Sequence, residues 1–429
     1  QALQVMLDPA DCGPATISLS QDVQGEAFDY PEIFFEEKIH IIRRIHPDPR
    51  QLNEAAEQLK LSKQPIIIAG GGILYSEAEK ELSDFAKKHN IPVTPTVMGI
   101  GCMTKDDPYY IGAIGCLGEG SSNSLSKDTD LALAIGTKLG DFTTGSWSNF
   151  QNEDFKLVSI NTARFDVTKH LATPVISDAK IGLLELSKAL GDWRAPNNWY
   201  ERSIDERKKW DSYVEKQSGP TNQELPSYAH AVGAVYRNAD PSDIVVTAAG
   251  GLVGEVVQIW KPKELNTFET EWGFSCMGYE ISGALGIKMA KPDQDVIVFV
   301  GDGSYLLHNS DIYSSVLYDK KLIIVVCDNG GHMVINRLQL AKGGKEYLCN
   351  LKEARATNLQ FVDFEAHAKS MGANGETVTS TSELEAAFKR AKKSEKTYVI
   401  SIKTHGYEWL DGTAFWESPT LEVHSTAEN

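Results

Sequence analysis

Apolar residues recur along the chain in two alternating patterns. Short continuous runs, such as Pro65-Ile66-Ile67-Ile68-Ala69, DVIVFV (295–300) and LIIVVC (322–327), read as strands buried on both faces. Between them, apolar positions fall at helical spacing. Leu52, Ala55, Ala56 and Leu59 follow Asp48 and Pro49, an N-cap and a first-turn proline. Gly70-Gly71-Gly72 turns the chain after the first run, and Ser76 with Glu79 predicts a capping box for a helix ending near 89. Strands over 91–96, 131–136 and 156–161 continue the alternation, and a helix over 181–190 closes it. Residues 11–25 predict a short strand leading into a polar loop.

The stretch 191–222, with Pro196, Asn197, Asn198 and Ser218-Gly219-Pro220, predicts a linker carrying one exposed helix. A second alternation follows. It comprises a helix over 228–237, a strand over 243–247, the turn Gly250-Gly251 and a small-residue helix over 279–290. Strands over 295–300, 322–327 and 397–403 and an amphipathic helix over 383–392 complete it. Strands separated by helices imply right-handed crossovers and parallel sheets.

The chain has 429 residues, 41% of them hydrophobic and 24% charged, which suits a globular protein of two or three domains. A formal charge of −17 argues against a nucleic-acid or anionic-membrane partner. No apolar stretch approaches the roughly 20 residues of a membrane span. The six cysteines form no CxxC pair and predict buried free thiols in a reducing, cytoplasmic setting.

The chemistry gathers where two apolar runs end. The first ends in Gly301-Asp302-Gly303-Ser304 and the second in Asp328-Asn329-Gly330-Gly331. Ligands of parallel sheets bind beyond such carboxyl ends. A carboxylate, an amide oxygen and a backbone carbonyl make a hard-oxygen set suited to Mg²⁺ or Ca²⁺. A Gly-Asp-Gly alone is also a common turn. Here Gly303 and Asp328 bracket one helix and one strand, a single crossover that brings the two ends together.

The pair GDGS and DNGG resembles the cofactor motif of the thiamine diphosphate-dependent enzymes. That resemblance implies that the Asp302 and Asn329 side chains and the Gly331 carbonyl hold Mg²⁺, which bridges the cofactor's diphosphate. Asp328 stands where many members carry the first of two asparagines, and the metal ligand is the second. WGFSCMGYE (272–280) resembles the segment that grips the aminopyrimidine, with Met277 as the wedge between the cofactor rings and the Ser275 carbonyl on the amino group. Met277 as plain core filler is the competing reading. Ala249-Gly250-Gly251-Leu252 matches the loop over the diphosphate. The implied cofactor-binding set is thus Gly250, Gly251, Ser275, Met277, Gly301, Asp302, Gly303, Ser304, Asn329 and Gly331.

Several further stretches are similar to the trihydroxycyclohexanedione hydrolase branch of the family, the ring-opening enzymes of myo-inositol catabolism. They are CGPATISLSQDVQGEAFDYPE, GTKLGDFTTGSW (136–147), NTARFDVTKH (161–170), SCMGYEISGALGIKMA, VGDGSY, CDNGG with INRLQ, and GYEWLDGTAFWESPTLEV (406–423). The resemblance implies parallel-sheet, three-layer α/β domains of the thiamine diphosphate-binding fold, with the N-terminal pyrimidine-binding domain largely absent from this chain. Its tail and linker would be 1–47, the central domain 48–190, a linker 191–222 and the diphosphate-binding domain 223–429. The activating glutamate would lie in the absent portion, and Gln1 would be a cut through a larger enzyme.

It further implies a homodimer or homotetramer and a cyclic diketone substrate, trihydroxycyclohexane-1,2-dione, opened to 5-deoxy-glucuronate. His308 and His332, just past the two strand ends, are candidates for proton transfer, against the alternative that each only packs or hydrogen-bonds. An acetolactate synthase-like carboligase, a 2-oxoacid decarboxylase and a cofactor-binding but inactive paralogue remain alternatives. A dinucleotide-binding GxGxxG is not matched, because Tyr75 occupies the third glycine position.

Overall fold

The computed structural model describes residues 1–417. Its strands form two separate parallel sheets. The first joins β1 (Pro65–Ala69), β2 (Val93–Pro95), β3 (Leu131–Ile135), β4 (Lys156–Asn161) and β5 (Thr173–Ile176) in the order β2-β1-β3-β4-β5. The second joins β6 (Ile244–Thr247), β7 (Phe268–Thr270), β8 (Val296–Gly301), β9 (Ile323–Asp328), β10 (Asn374–Val378) and β11 (Tyr398–Lys403) in the order β10-β11-β9-β8-β6-β7.

The continuous apolar runs are explained by burial on both faces. In β1, Ile67 and Ala69 enter one core while Ile66 and Ile68 enter another on the opposite face. In β8, Ile297 and Phe299 face one core and Val296, Val298 and Val300 the other. Each of these Ile, Val and Phe side chains contributes about 1.5–3 kcal/mol by leaving water. Helices cover both faces, so each sheet is the middle of three layers.

The helix Pro49–Leu61 starts as expected, with the Asp48 carboxylate accepting from the Arg50 N–H at 2.7 Å. The expected Ser76–Glu79 capping box does not form. The helix starts at Glu79 without a side-chain cap, and the Ser76 hydroxyl donates instead to Asp178 at 2.9 Å. The strand expected in 11–25 is also absent. Ile17 and Leu19 point into solvent, no strand lies alongside to pair with them, and Gln21–Gln24 is a short helix. Three short strands, β5, β7 and β10, lie where the sequence pattern predicts none.

The helix of the 191–222 stretch, Asn197–Gln217, is not an exposed one. Trp199 enters a core of the first sheet and donates from Nε1 to the Pro65 carbonyl at 2.9 Å, while Trp210 enters a core of the second. Among the cysteines, Cys102 and Cys327 are buried and Cys12 and Cys276 are exposed; all six are free thiols. Cys276 is exposed because its loop lies on the surface rather than within a strand. Among the described residues, no helix is long and apolar enough to cross a membrane.

Candidate active site

β8 and β9 are neighbours, with Gly301 opposite Cys327, so Asp302 and Asp328 emerge side by side at the carboxyl edge of the second sheet. Asp302 is buried. Loss of water and then the adjacent Asp328 charge push its carboxyl up to about 7, although the Gly303 and Gly331 N–H groups draw it down. Asp328 is turned to other partners: it pairs with Lys403 and accepts from the Gly330 N–H at 3.0 Å. Next in the chain, the Asn329 side-chain oxygen is buried without any hydrogen-bond partner. Gly331 holds φ +145°, and a Cβ there would run into the Cys349 carbonyl oxygen. This position therefore requires glycine.

A buried carboxylate short of positive charge beside an unpartnered amide oxygen is a donor set that a small hard cation would satisfy. Among the described residues there is no cluster of three His, Cys, Asp or Glu side chains able to hold a metal. The expected set is of another kind, with one carboxylate, one amide and one backbone carbonyl. These residues fit Mg²⁺ on the chemistry of their oxygens.

Three backbone segments converge on this edge. After β7, the Glu271 carboxylate folds the 272–278 loop by accepting from the Phe274 N–H at 2.9 Å and the Cys276 N–H at 2.7 Å. Ser275 takes the left-handed conformation, φ +53°, and its hydroxyl donates to the Ala248 carbonyl at 3.0 Å. That bond ties the loop to the segment after β6, which holds Gly250 and Gly251. Met277 is 38% exposed, and its methyl lies 3.6 Å from where a Gly303 Cβ would stand. It therefore stands at the mouth of the site rather than filling a core. The Ser304 hydroxyl is spent within the protein, donating to Glu280 at 2.9 Å and accepting from the Gly278 N–H at 3.2 Å.

Of the two histidines, His332 lies over Gly303; a Cβ on that glycine would come 2.8 Å from His332 Cε1 and 3.1 Å from Nδ1. Its backbone is fixed by the N–H bond to the Cys349 carbonyl at 2.8 Å. His308 ends the short helix Asp302–Leu307 on the flank, with Nε2 3.4 Å from Asp311 and its Cβ packed on Gly278. The structure thus brings Gly303, Met277 and His332 together and sets His308 to one side.

Two residues absent from the candidate set also shape this edge. Glu280, buried in the first turn of helix Tyr279–Ala290, binds all three segments. The signal was present as a lone carboxylate among small and apolar residues. Trp409 packs its indole onto Gly251 and is approached by Arg337, with the guanidinium carbon 5.3 Å from the ring centroid. Nothing local in the sequence marks that contact. Of the aromatic stretch 406–423, residues 418–423 lie outside the described residues.

Comparison with known proteins gives two family matches. Residues 52–186 match the thiamine pyrophosphate enzyme central domain, and residues 248–402 match the thiamine pyrophosphate enzyme C-terminal TPP-binding domain. Among curated relatives, a 3D-(3,5/4)-trihydroxycyclohexane-1,2-dione hydrolase of Bacillus anthracis is 36% identical over 96% of this chain and 70% of its own length. A protein of the same name from Halalkalibacterium halodurans is 35% identical over 99% of this chain and 70% of its own.

Proposed function

The chain belongs to the thiamine pyrophosphate enzymes, and from that premise we propose that it hydrolyses a carbon–carbon bond of trihydroxycyclohexane-1,2-dione, opening the ring to 5-deoxy-glucuronate. The names of the curated relatives support this substrate. The reaction adds one water and needs no external oxidant or reductant. When bound, thiamine diphosphate supplies a nucleophilic carbon for a carbonyl and a sink for the electrons of the breaking bond.

The observation that carries the reading is the oxygen set at the paired strand ends, with the buried and unpartnered Asn329 oxygen beside Asp302. Asp302, Asn329 and the Gly331 carbonyl would hold Mg²⁺, and the Gly250-Gly251 loop with Gly301, Gly303 and Ser304 would frame the diphosphate. Ser275 and Met277 would orient the pyrimidine side. His332 Nδ1, beside Gly303, is the better placed group to hold or pass a proton at the reacting end. His308 Nε2 already faces Asp311. Exposed Leu306, Leu307, Tyr313 and Leu317 next to the site suit burial against a second subunit in a homodimer or homotetramer.

The test is a product assay with thiamine diphosphate and Mg²⁺, offering the trihydroxy-dione and pyruvate in parallel. Dione consumption that chelation of the metal abolishes, and that Asn329→Leu lowers by roughly a hundredfold or more, is expected. Robust acetolactate formation from pyruvate with no dione turnover would overturn the assignment.

A further inference from the structure

Glu280 is 1% exposed, and its partners are donors rather than cations. Its Oε1 accepts from the Ala249 N–H at 3.3 Å and from the Ser304 hydroxyl at 2.9 Å, while Oε2 accepts from the Gly278 N–H at 2.8 Å. Each donor belongs to a different segment. Ala249 precedes Gly250-Gly251, Gly278 follows Met277, and Ser304 lies two residues past Asp302. Burial penalises this charge, and an apolar residue would pack the start of the helix at no such cost. A carboxylate has two oxygens and about four acceptor sites, so it can collect several convergent donors that no neutral side chain could serve together. Its place in the first helical turn also favours negative charge.

We infer that Glu280 is a positioning residue that sets the spacing between the diphosphate side and the pyrimidine side of the cofactor site. The inference rests on the cofactor reading proposed above. Ala249 and Ser304 belong to the segments assigned to the diphosphate, and Gly278 to the segment assigned to the pyrimidine. Without the carboxylate, only the Ser275–Ala248 and Gly278–Ser304 hydrogen bonds still join the two sides, and their register loosens. In Glu280→Gln, an amide NH₂ replaces one acceptor oxygen and faces an N–H group, leaving two donors opposed.

The experiment compares Mg²⁺-dependent binding of thiamine diphosphate and of inorganic pyrophosphate by titration calorimetry on the intact protein. Glu280→Gln is expected to weaken thiamine diphosphate by roughly tenfold or more while changing pyrophosphate by no more than about twofold. Equal losses for both ligands, or no loss for thiamine diphosphate, would overturn the inference. Glu280→Asp keeps the charge but is one methylene too short to reach all three donors and should show the same asymmetry in smaller measure; it decides the matter if Glu280→Gln loses its cooperative melting. A wild-type protein that binds no thiamine diphosphate overturns the cofactor reading and this inference with it. Wild-type binding left unaltered in both variants overturns the inference alone.

Discussion

Glu255 lies buried in the helix Leu252–Ile259, one turn past Gly251. One carboxylate oxygen accepts from the Leu410 N–H at 2.9 Å, and the other has no partner. Burial pushes the carboxyl from 4.5 up to about 7, although the Leu410 N–H and the Arg337 charge pull the other way. A raised folded value means that the native protein holds this proton more tightly than the unfolded chain does. The stability it contributes is therefore full below about pH 4.5 and is lost as pH rises through about 7, at most roughly 3 kcal/mol. Glu255→Gln keeps an oxygen for Leu410 and never charges. Urea denaturation should find it within about 1 kcal/mol of wild type at pH 5 and more stable by about 2–3 kcal/mol at pH 8. The same shift at both pH values would contradict this account.

At the scale of the element, the turn after β1 and the turn after β3 touch backbone to backbone. A Cβ on Gly70 would run into the Gly136 carbonyl, and one on Gly72 would come 2.6 Å from the Gly136 Cα. Neither neighbour can give way without shifting a strand end. Gly70→Ala should then cost about 1–3 kcal/mol or more, while Gly13→Ala, which meets nothing within 4 Å, should stay within about 0.5 kcal/mol of wild type. Denaturant midpoints of the two variants check this.

The same contrast explains what could be read before folding. β1, β3, β8 and β9 were legible because burial on both faces leaves an unbroken apolar run, and β4 and β11 because a single serine interrupts theirs. β7 spans three residues, and β10 reads Asn-Gly-Glu-Thr-Val with only its last residue buried; each exists because a neighbour offers it an edge. In 11–25, apolar Ile17 and Leu19 find no such edge and stay open. The site divides similarly. Asp302 and Asn329 were legible since one crossover brings their strand ends together, whereas Gly331 came only from the family resemblance. Glu280's three partners and the Trp409–Gly251 contact depend on segments far apart in the chain, which no local pattern encodes.

For the whole molecule, the two sheets are joined by more than the helix Asn197–Gln217. Residues 405–417 run from the second sheet towards the first. His405 N–H donates to the Pro226 carbonyl, Asn123 donates to the Thr413 hydroxyl at 2.6 Å, and the Glu417 N–H donates to Ser146 at 2.8 Å. Beneath them lies an ion cluster. Lys261, beyond the helix Leu252–Ile259, pairs with Asp211 of the bridging helix and stands 3.2 Å from Glu119, which lies before β3. Glu119 is 1% exposed, and burial raises its carboxyl although Lys261 and the Ala113 N–H hold it down. Removing the cation strands that carboxylate in the interior. Lys261→Met should therefore cost about 3–5 kcal/mol at pH 8, the usual penalty for breaking a buried pair from one side. Adding Glu119→Gln should return most of it, since neither group then needs compensation. Because the cluster joins both sheets to the bridging helix, the single variant should also separate thermal unfolding into two transitions by calorimetry. A cost below about 1 kcal/mol, or a double variant no better than the single, would show that the sheets are held together by the helix and the 405–417 segment alone.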